Sequence, residues 1–116
     1  MPKSTSSSTG KKGVKLARFE LVPPEALWAL AEVYGVGGLK YDDRNWEKGI
    51  PFSQMYGALQ RHAIQFWGGE DVDPEDGQKH MASVMWHAAG ILTMAEIRPD
   101  LDDRPRKTKL ESRQVA

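Results

Sequence analysis

Two stretches with helical periodicity, joined by a short acidic segment, constrain the fold of this chain more than any other feature. Apolar residues recur at helical spacing over 52–67 and again over 77–95, and Gly68-Gly69 separates the two stretches. Asp73 is of the type that caps helix N-termini, and Pro74 suits a first helical turn. The pattern therefore predicts an antiparallel helical hairpin whose second helix begins at Pro74.

The segment that joins the two helices is densely acidic. Five carboxylates and no basic residue occupy positions 70–76, and the three histidines of the chain, His62, His80 and His87, lie in or beside this block. Carboxylates at this density repel one another unless they stay solvated or share a cation. His80 and His87 are nearly two helical turns apart and point the same way, and His62 lies near the apolar seam of the first helix. The acids and imidazoles can therefore converge on one end of the hairpin.

Composition excludes several classes of protein. Sixteen basic and sixteen acidic residues cancel, which argues against stable nucleic-acid binding. The chain has no cysteine, so it has neither disulfides nor thiolate metal sites. No apolar run approaches the roughly 18 residues that a membrane span needs, so we expect no membrane among the partners of this protein. We expect a cytoplasmic protein, in the cytoplasm of the host cell if it is encoded by a phage.

The rest of the chain predicts one small all-α domain. Residues 1–17 are a basic, Ser-rich tail, residues 18–98 form the domain, and residues 99–116 are a charged tail. Pro24 opens a first helix, which the glycines at positions 35, 37 and 38 are predicted to close. Three main helices make a small core, so we expect a homo-oligomer, a dimer or tetramer, to complete it.

A second informative stretch is the predicted loop over residues 40–46. Its cationic side chains, Lys40 and Arg44, can bind phosphate. Its aromatic rings, Tyr41 and Trp46, can stack on a nucleobase, and Asn45 can bond a base edge or cap a turn. The loop is thus suited to bind the base and the phosphates of a nucleotide, and the acidic segment is suited to bind the metal ion of the same site.

These stretches together resemble a known family. The matching motifs are Arg18-Phe19-Glu20-Leu21-Val22-Pro23-Pro24, Lys40-Tyr41-x-x-Arg44-Asn45-Trp46-x-x-Gly49, Arg61-His62, and Gly69-Glu70-x-x-Asp73-x-Glu75-x-Gly77-x-x-His80. In this order they resemble the dATP/dGTP diphosphohydrolase N-terminal domain family of phages and some bacteria. That family is similar to the MazG-like all-α nucleoside triphosphate pyrophosphohydrolases.

The resemblance implies an activity and assigns roles. It implies Mg²⁺-dependent (or Mn²⁺-dependent) hydrolysis of dATP and dGTP to the monophosphate and pyrophosphate. The expected metal ligands are Glu70, Asp73, Glu75 and His80. The expected catalytic residues are Glu75, which would orient the attacking water, with His80 and Arg61. The expected substrate-binding residues are Lys40, Tyr41, Arg44, Asn45, Trp46 and His62.

Other interpretations of the same residues stay open. MazG-like enzymes hold their metals with acidic pairs on two adjacent helices, whereas the helix predicted over 52–67 carries no acid, and His62 and His80 stand where carboxylates are expected. The alternative enzyme is an HD-like metal-dependent nucleotide phosphohydrolase. The alternative from another class is a non-enzymatic phage helical interaction protein, in which the acids only cap a helix and the histidines pack in the core.

Overall fold

The computed structural model describes residues 15–105, and three α-helices dominate this range. They are α1 (Pro24–Lys40), α2 (Phe52–Trp67) and α3 (His80–Ile97). Single 3₁₀ turns lie at Phe19–Leu21, Asn45–Lys48 and Pro99–Leu101. No strand forms within residues 15–105, so the predicted all-α class and its three main helices are confirmed.

Helices α2 and α3 form the predicted hairpin, and α1 packs against α3. Among the described residues the buried apolar side chains are few and sit mostly at the α2–α3 interface: Phe52, Met55, Ala82 and Met94. Gly68 ends α2, as the glycine pair predicts, and α3 ends before Pro99. No described helix is both long and apolar enough to cross a membrane.

The predicted start of the second hairpin helix is wrong. Helix α3 begins at His80, because residues 72–79 close into a tight hairpin loop in which Val72 and Lys79 form an antiparallel bridge. Asp73 is not a helix cap: its Oδ1 accepts the backbone N–H of Glu75 at 2.9 Å, as in an Asx turn. Gly77 takes a φ of 75°, which an α-helix does not allow.

The predicted end of the first helix is also wrong. Helix α1 runs through the glycines at 35, 37 and 38 to Lys40, and the Tyr41 N–H still donates to the Gly37 carbonyl at 2.9 Å. Glycine weakens a helix by about 1 kcal/mol per residue but does not forbid it. The chain leaves the helix only at Tyr41, where the loop to α2 begins.

Candidate metal centre and substrate cavity

Side chains from both helices and from the connecting loop meet at one point of the hairpin. His62 lies on α2, Asp73 in the loop, and His80 is the first residue of α3. The Nδ1 atoms of His62 and His80 lie 2.9 Å apart, and His62 Nδ1 lies 4.0 Å from Asp73 Oδ2. One nitrogen from each imidazole and one carboxylate oxygen fall within 4.8 Å of one another. We call these three residues the His–Asp cluster.

The backbone of the loop fixes the position of Asp73. The Asp73 N–H donates to the Gln78 carbonyl at 2.8 Å, and the Asp73 carbonyl accepts from the Gly77 N–H at 2.8 Å. Its Oδ1 accepts from the Glu75 N–H, so Oδ2 is the oxygen left to face His62. The side chain is 15% exposed and is therefore held in a largely enclosed place. The acidic residue is thus presented by the loop and not by a helix end.

Glu70 fixes the tautomer of His80. His80 is fully buried, and its Nε2 lies 2.6 Å from Glu70 Oε1. A carboxylate accepts hydrogen bonds, so Nε2 carries the proton and donates it to Glu70. In the neutral imidazole Nδ1 then holds a lone pair, and that lone pair faces His62. Glu70, predicted as a metal ligand, therefore lies behind His80 in the structure and is not a member of the cluster.

The two facing Nδ1 atoms cannot both present lone pairs to each other. Two lone pairs 2.9 Å apart repel, so either a proton on His62 Nδ1 or a cation must occupy the gap. Ligands about 2.1 Å from one divalent ion lie about 3 Å apart at right angles and about 4.2 Å apart on opposite sides. The 2.9 Å and 4.0 Å separations fall in this range. The His–Asp cluster therefore fits a divalent cation.

A cavity of about 840 Å³ opens beside the cluster. This volume lies within the range of small-molecule sites. Its polar and aromatic lining includes Lys40, Tyr41, Arg44, Asn45, Trp46, His62, Asp76, Gln78, Ser83 and His87. The second half of α1, residues 33–38, forms one wall. All six residues predicted to bind substrate thus line the same cavity, and His62 belongs to both the cavity and the cluster.

The loop between α1 and α2 shapes one side of the cavity. Arg44 has a left-handed backbone with a φ of 63°, and its guanidinium pairs with Glu47 while remaining largely exposed. The Trp46 ring meets Tyr34 edge to face, with centroids 6.0 Å apart. Trp46 also lines a small apolar pocket with Phe52. Trp46 thus contributes to the core as well as to the cavity, whereas the Arg44 guanidinium lies at the surface in its pair with Glu47.

His87 lines the cavity and is not among the site residues predicted from the sequence. Its Nδ1–H donates to the Ser83 carbonyl at 2.7 Å, so Nε2 is an acceptor in the neutral ring. Burial lowers the pKa of His87, and the charge of Arg61 adds to this effect. No buried side-chain nitrogen or oxygen in residues 15–105 lacks a partner, so the unbonded Nε2 must reach open space. The seven-residue spacing from His80 was the available signal.

Two predicted site residues lie apart from the others. Glu75 is exposed, and its backbone N–H, not its carboxylate, contacts Asp73. Arg61 is exposed and does not line the cavity; a Cβ added at Gly57 would lie 3.5 Å from its guanidinium, so the side chain lies along α2. The structure brings neither into the His–Asp cluster. The catalytic roles of Glu75 and Arg61 stay predictions.

The fold and the site together define a class of protein, an all-α hairpin that carries imidazole and carboxylate side chains next to a nucleotide-sized cavity. The chain belongs to the dATP/dGTP diphosphohydrolase N-terminal family, whose sequence model matches residues 6–104 of the 116-residue chain. The resemblance drawn from the motifs is thereby confirmed. No curated protein and no solved structure matches the chain.

Proposed function

We propose that this protein is a divalent-metal-dependent hydrolase of purine deoxynucleoside triphosphates, and that it releases the monophosphate and pyrophosphate. One observation carries the proposal: His62 belongs both to the His–Asp cluster and to the lining of the 840 Å³ cavity. A phosphate chain held in this cavity would lie next to the proposed metal. The family to which the chain belongs is named for dATP and dGTP, and these cytoplasmic solutes are the proposed substrates.

In this proposal different residues of the cavity bind the metal ion, the phosphates and the base. The cluster would hold the divalent cation, which would neutralise charge on the phosphates and polarise the reacting phosphorus. Lys40 and Arg44 would bind phosphate oxygens. Asn45 and the aromatic rings would hold the base or sugar. His87 offers a neutral acceptor nitrogen on the same surface, where it can orient a water or a hydroxyl group.

The composition of the cluster supports a second candidate activity. Two imidazoles and one carboxylate are closer to the ligand set of HD-type phosphohydrolases than to the all-carboxylate set of MazG-like enzymes. An HD-like reaction on dGTP would release tripolyphosphate, through cleavage between the sugar and the α-phosphate, or single phosphates. The two activities therefore differ in a product that is simple to detect.

We further propose that the protein works as a homo-oligomer, a dimer or tetramer. Large apolar side chains on all three helices face outward in the single chain; Trp28 and Trp67 are 72% and 88% exposed. Only four apolar residues of the described range are buried. Exposed apolar surface of this kind is typical of a chain that buries it against a partner. A second copy of the chain would cover these apolar side chains and extend the core.

Product analysis tests the proposed function. The purified protein is incubated with dGTP and either Mg²⁺ or Mn²⁺, and the products are separated by ion-exchange chromatography. Formation of dGMP and pyrophosphate supports the first activity, and deoxyguanosine with tripolyphosphate supports the HD-like activity. Absence of turnover with all four deoxynucleoside triphosphates would favour a non-enzymatic interaction protein. Asp73→Asn serves as the matched variant, because its amide oxygen can still accept the Glu75 N–H and preserve the loop.

A further inference from the structure

The chemistry of the His–Asp cluster narrows the class of metal ion. We infer that the cluster of His62, Asp73 and His80 is a site for a borderline first-row transition-metal ion, such as Co²⁺, Fe²⁺ or Zn²⁺, in preference to Mg²⁺. The inference takes from the proposed function only the premise that a divalent cation acts at this site. It differs from the ion that the motifs imply, which is Mg²⁺.

The first ground is the kind of donor atom. Two of the three candidate ligand atoms are imidazole nitrogens, and one is a carboxylate oxygen. Mg²⁺ is a hard ion that takes oxygen ligands and keeps several waters, whereas imidazole suits Fe, Co, Ni and Zn. Two histidines with one carboxylate and open positions form a ligand set that is typical of transition-metal centres. A Mg²⁺ ion here would obtain one good ligand from the three.

The second ground is the support behind His80. Metal-bound histidines usually donate their other N–H to a carboxylate or a carbonyl, which fixes the tautomer and raises the basicity of the ligand nitrogen. His80 does this with Glu70 at 2.6 Å, and its complete burial prevents the ring from turning away. The contact with Glu70 and the burial of the ring thus hold the Nδ1 lone pair of His80 at a fixed point, facing the Nδ1 atom of His62.

The third ground is the position of Asp73. A proton shared by the two imidazoles would need no third partner, yet the loop holds Asp73 Oδ2 4.0 Å from His62 Nδ1 in a largely enclosed place. That distance is too long for a hydrogen bond and suits a ligand across a metal ion from the imidazole. The carboxylate thus supplies a third candidate ligand atom, which a simple pair of hydrogen-bonded histidines lacks.

Metal titration of the full chain tests the inference independently of catalysis. Isothermal titration calorimetry with Mg²⁺ and with Co²⁺ compares the affinities, and the visible absorption of Co²⁺ reports nitrogen ligands. We expect Co²⁺ to bind more tightly than Mg²⁺ with a stoichiometry of one per chain. Glu70→Gln should weaken Co²⁺ binding by about 10- to 100-fold, the range found when an outer partner of a metal ligand is removed. Thermal denaturation with and without Co²⁺ shows whether each variant is folded.

Two loop variants provide the matched comparison. Asp73→Asn removes the ligand charge, whereas Asp76→Asn removes a carboxylate of the same loop that accepts the Gln78 N–H and lies outside the cluster. Asp73→Asn should abolish the Co²⁺ spectrum, and Asp76→Asn should retain it. Absence of Co²⁺ binding, or equal effects of the two variants, would overturn the inference. Co²⁺ binding without dGTP turnover would contradict only the proposed function, and turnover with Mg²⁺ in the absence of Co²⁺ binding would contradict only the inference.

Discussion

Asp103 caps α2 from a position fifty residues away in the chain. Its Oδ1 accepts the backbone N–H of Ser53 at 2.8 Å, and its Oδ2 accepts the Ser53 hydroxyl at 2.5 Å. Ser53 is the second residue of α2, where the backbone N–H has no partner inside the helix and where negative charge is favourable. Nearby, Arg98 donates to the Lys48 carbonyl at 3.5 Å. The segment after α3 therefore fastens the start of α2 and the end of the preceding loop.

This contact predicts a pH-dependent loss of stability in Asp103→Asn. The bonds from Ser53 lower the pKa of Asp103 below the ordinary value of 3.8 in the folded chain. A carboxyl whose folded pKa is lowered contributes stability above its unfolded pKa and loses it as pH falls through the folded pKa. The variant should therefore melt at a lower temperature than the parent at pH 7, and the difference in Tm should shrink as the pH falls below 3.8. A difference in Tm that stays constant over this range would contradict the prediction.

Gly90 and Met55 predict a coupled effect at the crossing of α2 and α3. A Cβ added at Gly90 would overlap the terminal methyl of Met55, which is buried. Gly90→Ala should gain about 1 kcal/mol in helix propensity, and overpacking against the end of the Met55 side chain, at a cost of about 1–3 kcal/mol, should cancel or exceed this gain. In a Met55→Ala background the overlap disappears, and Gly90→Ala should become stabilising by up to about 1 kcal/mol. Urea denaturation of the four variants measures this change, and simple additivity would show that the two residues do not touch.

The exposed tryptophans predict assembly of the chain. Light scattering during size-exclusion chromatography should give a mass of two or four chains, and a mass of 13.0 kDa at micromolar concentration would contradict the prediction. Trp67→Lys should shift the assembly toward smaller species if Trp67, which is 88% exposed in the single chain, is covered by a second copy. A lysine at an exposed position should cost the single chain little. Circular dichroism checks that the variant retains its helices.

The sequence predicted α2 of the hairpin well, because the residues that mark this helix and its end lie next to one another in the chain. An apolar stripe and the glycine pair after Trp67 define α2 without help from distant residues. The start of α3 was wrong because Asp73-Pro74 satisfies every local rule for a helix start. The bridge between Val72 and Lys79 and the positive φ of Gly77 hold this segment as a loop instead. These contacts depend on how the chain closes and do not appear in helical periodicity.

The sequence predicted which residues lie near one another in the candidate site, but not what each side chain contacts there. Helical spacing placed His62 and His80 near the acidic segment, and the structure brings them together. The same spacing could not show that Glu70 would bond the outer nitrogen of His80 or that Glu75 would point outward, because side-chain directions in an irregular loop follow from its hydrogen bonds. The sequence does not predict His87 as a site residue, because a histidine on an apolar stripe is typical of a core residue.

The side chains between α1 and α2 are expected to divide between phosphate binding and base binding. Arg44→Asn removes the cation, and asparagine tolerates the left-handed backbone at this position, so the fold should stay intact. Loss of a charge-assisted hydrogen bond costs about 1.5–3 kcal/mol, which corresponds to roughly 10- to 100-fold weaker binding. Because a phosphate contact carries no base information, dATP, dGTP, dCTP and dTTP should all lose affinity alike. Glu47→Gln is the matched control, because it releases the Arg44 guanidinium and retains its charge.

Asn45 and Trp46 should behave differently from Arg44. Asn45→Ala should change the ratio of purine to pyrimidine turnover, because an amide can bond a base edge. Trp46→Ala should do so as well, but it should also lower Tm, because the ring packs on Tyr34 and beside Phe52. Trp46→Phe keeps an aromatic ring and separates the two effects: stability should largely return, while stacking on the larger purines should remain weaker than in the parent. If base preference stays flat in all three variants while only Tm falls, the loop is a structural lid and the nucleotide base is held elsewhere in the cavity.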